Sequence, residues 1–130
     1  MKKENWWETL QPLRIPTGWH IEFNKLTSTE PETLDKDDER WFDFTEDIAY
    51  MYTINQKKEY HKMDTQKLGI DLGWYPDCDP NGNFCLQAIL DDDWENPLKK
   101  FISKSTEEVV KQWEKWLFYD FYACHWITKK

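Results

Sequence analysis

The sequence predicts an α+β fold: an antiparallel sheet of four to five strands with a C-terminal amphipathic helix packed on one face. Three observations carry this. Two apolar-alternating runs, 67–75 and 83–90, flank a segment of turn formers. A third run, 18–26, alternates in the same way. The C-terminal part then changes to an apolar repeat of three and four residues, the helical period. Strands in a run followed by a helix give a sheet with one covered face.

The chain has 130 residues, which fits one domain of the usual size of about 100–150 residues. Within it we distinguish an arm (1–17), the sheet (18–104) and the helix with its tail (105–130). In the arm, Pro12 and Pro16 prevent one long helix. A short turn around Asn5–Leu10 fits, and Trp6, Trp7, Leu10 and Leu13 are expected to fold back on the core. In 18–26, Trp19, Ile21 and Phe23 share one face and His20, Glu22 and Asn24 the other, as in a half-buried strand. Residues 27–40 are acidic, contain Pro31 and read as a surface loop with a turn of helix near its end.

Residues 47–55 alternate Ile48, Tyr50, Tyr52 and Ile54 with Ala49, Met51 and Thr53, and their β-branched and aromatic content favours a strand. A helix over 41–51 is the competing reading, since Glu46, Asp47 and Ala49 do not resist one. The run 56–66 is polar and reads as local structure. The clearest signal follows. Leu68, Ile70, Leu72 and Trp74 share one face, as do Phe84, Leu86, Ala88 and Leu90, and PDCDPNG between them makes a β-hairpin. After Asp91-Asp92-Asp93, LKKFISK supplies a short edge strand whose lysines discourage edge-to-edge pairing. Ser105 and Glu108 fit a capping box, and Val109, Val110, Trp113, Trp116, Leu117 and Phe121 form the helix stripe.

Composition narrows the function classes. The net charge is −8, charged residues make up 32%, and mean hydropathy is −0.92, which alone would suggest disorder. Aromatics at 17%, nine of them tryptophan, argue the opposite, because each buries about 150–250 Å². No apolar run approaches the ~18 residues of a membrane helix, and MKKENWWETL lacks the apolar stretch of a secretory signal. Three cysteines, Cys78, Cys85 and Cys124, fit a reducing cytoplasm better than a disulfide framework. An acidic chain repels phosphate backbones, so direct nucleic-acid binding is not expected, and a basic partner is.

Motifs for chemistry are sparse. Cys124 and His125 are neighbours that point in different directions, and His20 and His61 lie in separate elements without a motif. There is no C-x-x-C, no H-x-x-x-H and no glycine-rich phosphate loop. Asp77, Asp79, Asn81 and Gly82 match the start of a calcium loop, but the twelfth position is Ala88 rather than Glu, and turns use the same residues. We therefore expect no enzyme, no metal and no cofactor. What remains is charge layout. Asp35, Asp37, Asp38 and Glu39 form one acidic cluster, Glu46 and Asp47 a second, and Asp91, Asp92 and Asp93 a third. Any one of them reads as a solvated face. Three on a small aromatic-rich domain suggest a docking surface, with charge steering the partner and aromatics supplying affinity.

The segment Ile70-Asp71-Leu72-Gly73-Trp74-Tyr75-Pro76, the following turn, Phe84–Leu90, then Asp93-Trp94-Glu95-Asn96-Pro97-Leu98, Phe101, Ser103 and the Glu/Val/Trp helix resembles small immunity proteins of bacterial polymorphic toxin systems. The resemblance covers roughly 68–118. It implies a cytoplasmic α+β inhibitor without catalysis that neutralises a cognate toxin, a basic nuclease in this reading. It transfers no binding residues; those expected here come from the acidic clusters alone. The alternative is a small-molecule or carbohydrate-binding module that stacks its ligand on exposed tryptophans.

Overall fold

The computed structural model describes residues 10–59 and 62–121, with 55–59 and 62–65 described through their backbone alone. Trp6, Trp7, Cys124, His125, His61 and the turn expected at 5–9 lie outside the described residues. Five strands, β1 (His20–Asn24), β2 (Ala49–Glu59), β3 (Lys62–Tyr75), β4 (Asn83–Leu90) and β5 (Lys99–Ser103), form one antiparallel sheet in chain order. Helix α1 (Thr106–Lys115) follows and widens into a π-helical turn at Trp116–Asp120.

The strong hairpin forms as its alternation requires. Leu72 pairs with Leu86 and Trp74 with Phe84. All eight apolar residues named on its inner face are buried. Ala49 and Met51 of β2 join that face opposite Leu72 and Ile70. Val109, Trp113, Trp116 and Leu117 cover it, together with Leu26, Trp41 and Phe44 from the loops. Trp74 is the hub: its ring centroid lies 4.9 Å from Phe84, 5.1 Å from Phe44 and 5.7 Å from Trp41. Its indole N–H donates to the Asp79 carbonyl at 2.7 Å, so the polar atom of this buried ring is satisfied by the turn. Gly82 permits that approach, since a Cβ there would lie 2.5 Å from the indole nitrogen.

Several expectations are corrected. The strand read over 18–26 is shorter, and a register shift between Ile21 and Phe23 breaks its alternation. Ile21 is consequently 45% exposed while Trp19 packs against the core. The polar run read as local structure instead extends the two long strands: pairing continues from Asn55↔Gln66 to Glu59↔Lys62. A polar run has no apolar face, so periodicity could not mark it as strand. The strand read over 47–55 holds against the competing helix over 41–51. Trp41 lies in a 3-10 turn (Glu39–Asp43), and β2 begins at Ala49. The capping box is half formed. Ser105 Oγ accepts from the Glu108 N–H at 3.2 Å, but the Glu108 carboxylate accepts from Ser103 Oγ, which in turn accepts from the Ser105 N–H. The remaining helix donors go to a loop residue: Glu30 accepts from the N–H of Thr106 at 2.8 Å and of Glu107 at 2.9 Å.

Candidate functional site

The sheet has a second face, and among the described residues no helix lies on it. β3 presents Lys67, Gly69, Asp71, Gly73 and Tyr75 there, because these alternate with its core residues. Tyr50, Tyr52 and Ile54 flank them from β2, Cys85, Gln87 and Ile89 from β4, and Lys100 and Ile102 from β5. Trp94, from the β4–β5 connection, leans over this face with its ring 6.1 Å from Tyr50. Four large side chains stay open to solvent: Ile54 at 49%, Tyr75 at 39%, Trp94 at 48% and Ile102 at 56%. Exposed large apolar side chains set among polar ones on one open sheet face are the anatomy of an interaction surface.

Two glycines shape the floor. A Cβ on Gly69 would lie 2.8 Å from the Tyr50 hydroxyl, and one on Gly73 would strike the Glu46 carbonyl at 2.2 Å and the Tyr75 ring at 2.8 Å. The tyrosine rings thus lie along the sheet over the glycines, with Asp71 between them. Asp71 is half-buried and sits directly opposite Tyr50 and Gln87, and its carboxylate accepts no hydrogen bond from the described residues. Burial, reinforced by the Asp47 carboxylate, pushes its pKa up to about 6. The Tyr75 phenol is pushed up to about 12, chiefly by burial and then by the Asp71 charge. At the other end of the face, Lys67 Nζ lies 3.2 Å from Asp92 and over the Tyr50 and Tyr52 rings, 5.6 and 5.0 Å from their centroids. Hydrogen bonding to Tyr50 raises the Lys67 pKa.

The three acidic clusters are placed differently. Glu46 and Asp47 stand exposed at the Gly73 end of the open face, and Asp91 and Asp92 at its Lys67 end. Six residue steps along β3 separate the two ends, about 20 Å. Asp35, Asp37, Asp38 and Glu39 stand apart from them, next to the Trp41 turn that covers the opposite face.

Several of these carboxylates are engaged in building turns. Asp91 and Asp92 have φ of 53° and 59°, and Asp91 accepts from the Lys67 N–H at 2.9 Å. Asp93 accepts from the Asn96 amide at 3.2 Å. Asp38 caps the 3-10 turn and pairs with Arg40 at 2.8 Å, which pulls its carboxyl down to about 2. Asp35, Asp37, Glu39, Glu46 and Asp47 keep exposed side chains.

The calcium-like turn is held by its own chain. Asp77 accepts from the Glu46 N–H at 2.7 Å, Asp79 from the Asn81 N–H at 2.8 Å, and the Lys104 ammonium donates to the Asn81 and Gly82 carbonyls at 3.2 and 2.6 Å. Among the described residues no group of three or more His, Cys, Asp or Glu is arranged to hold a metal ion. Cys78 and Cys85 are free thiols whose pKa is raised, in both chiefly by burial. An open groove of about 320 Å³ runs between Arg14 and α1, where Arg14 pairs with Glu114 and Lys111 with Glu107. Of the six described tryptophans, only Trp94 is exposed.

Sequence reasoning missed Asp71, Lys67 and the tyrosines as a unit. Their signal was present in 67–75 as the complement of the core face. No family model, curated protein or solved structure matches this chain. Among the described residues no helix is long and apolar enough to cross a membrane.

Proposed function

We propose that this chain is a cytoplasmic immunity protein that binds and neutralises a cognate bacterial toxin, a basic nuclease, without chemistry of its own. The observation that supports this best is the open sheet face, where exposed Ile54, Tyr75, Trp94 and Ile102 lie between two carboxylate-bearing ends. Aromatic and aliphatic anchors inside a charged rim are the usual anatomy of a protein interface, and a net charge of −8 selects a basic partner. The resemblance over 68–118 supplies the partner's class. The carbohydrate-binding alternative asks for several tryptophans lining a groove and has only Trp94 among those described.

The test is co-expression with the product of the neighbouring gene, which this reading expects to be the toxin. Growth rescue and a co-purifying complex are expected, with hydrogen-exchange protection on 50–54, 69–75 and 102. No rescue and no complex would overturn the reading. Charge reversal at Glu46 and Asp47 is the informative electrostatic variant, because these side chains are exposed, whereas Asp91 and Asp92 hold a turn. It is expected to slow association and flatten its salt dependence.

A further inference from the structure

The open face carries one kind of recognition chemistry at both ends, in different states. At the Lys67 end an ammonium lies over two tyrosine rings and against a carboxylate. Four residues along β3, Asp71 offers a carboxylate between the Tyr50 and Tyr75 rings, and no cation among the described residues pairs with it. Lys67 is committed to Tyr50 and Asp92. Lys100, whose charge acts on Cys85, has its backbone two strands from Asp71, about 10 Å, and is not among the groups that set the Asp71 pKa. The other groups facing Asp71 are Asp47 and Cys85, and neither is a cation.

We propose that Asp71 is the specificity-determining contact of this face and receives an arginine side chain of the protein partner. The inference rests on the docking reading above and names its central contact. Geometry favours arginine over lysine. Gly69 and Gly73 keep the floor flat, and the flanking rings lie along the sheet. A planar guanidinium can stack on a tyrosine ring while donating two parallel hydrogen bonds to one carboxylate, which a compact ammonium cannot. An incoming cation also offsets the repulsion between Asp71 and Asp47, and so lowers the raised Asp71 pKa.

The experiment is a carboxyl-carbon NMR titration of the full chain with N-acetyl-arginine methylamide and, separately, N-acetyl-lysine methylamide. The arginine probe is expected to shift the Asp71 carboxyl and the Tyr50 and Tyr75 ring signals saturably and to lower the Asp71 pKa. The lysine probe is expected to do so more weakly. Asp71→Asn should abolish the response. Tyr75→Leu, which keeps the carboxylate, should reduce the arginine response toward that of lysine. Shifts spread evenly over Asp35–Glu39 and Asp91–Asp93, unchanged by Asp71→Asn, would overturn the proposal.

A second arm uses the complex with the neighbouring gene product, where Asp71→Asn is expected to weaken binding about tenfold or more. If that complex is insensitive to Asp71→Asn yet weakened by reversal at Glu46 and Asp47, the arginine contact fails and the docking reading stands. If the arginine probe seats at Asp71 but no toxin complex forms, the toxin reading fails and the cation site stands.

Discussion

The two faces of β3 and β4 are made by the same strands, one residue out of step, yet they are held by different physics. On the covered face Leu68, Ile70, Leu72, Trp74, Phe84, Leu86 and Ala88 share one core with α1 and the Trp41–Phe44 turn, and burial there is volume filled by other elements. On the open face Gly69, Gly73, Cys85 and Ile89 are also buried. At the glycines the cover comes from tyrosine side chains lying along the sheet. The first arrangement stabilises the fold. The second leaves Asp71 half-buried and without a counter-charge among the described residues, a state that costs stability until a cation arrives. Because the side-chain period is two, a one-residue slip in register would exchange these roles, and the apolar set on the covered face fixes the register.

Substitutions should separate the faces sharply. Trp74→Ala on the covered face is expected to cost about 3–5 kcal/mol in denaturant unfolding, because it removes the ring that Trp41, Phe44 and Phe84 share. A loss below about 1 kcal/mol would mean that this face is not the core. Glu30→Ala lies at the margin of the covering layer. It should cost about 1–2 kcal/mol by leaving the Thr106 and Glu107 N–H groups without their acceptor, and faster amide exchange should be confined to the first turn of α1.

Asp71→Asn on the open face should act with the opposite sign. The folded-state pKa of about 6 lies above the ordinary carboxylate value of 3.8, so the folded state binds the proton more tightly. Stability therefore falls as pH rises from about 4 through about 6, and the penalty is complete above that. The variant should be more stable than the wild type at pH 8, by about 1 kcal/mol after allowance for solvent screening at a half-open site, and the gain should vanish near pH 4. Equal effects at both pH values would break the assignment of Asp71 as an uncompensated charge. Trp94→Ala is the smallest expected effect on the fold, within about 0.5 kcal/mol, since the ring is 48% exposed. A melting temperature as low as that of Trp74→Ala would show that the open face supports the fold as strongly as the covered one.

Much of the covered face was legible before any coordinates. The hairpin 67–75/83–90, its turn, the edge strand and the helix stripe follow from period and turn chemistry, and Leu68, Phe84 and Trp113 are buried as the alternation demands. The misses share a cause. Residues 56–59 and 62–66 pair as strands without an apolar face, and the Ile21/Phe23 register shift has no mark in composition. Glu30 was read as one more loop carboxylate, although it caps a helix that begins 76 residues later. The acidic clusters were visible as runs, but a run does not tell a turn-building carboxylate such as Asp91 from a free-standing one such as Asp47.

The sequence by itself determined the class of fold, the main hairpin, the core residues and the sign of the charge. Alternation and capping are local, and charge adds up without geometry. Only the tertiary structure decided which carboxylates are consumed within the chain, and that Asp71 lies between two tyrosines where its neighbours leave it unpaired. Cross-strand neighbours are set by register and by the lean of side chains over glycine, and neither is written in the spacing of residues along one strand.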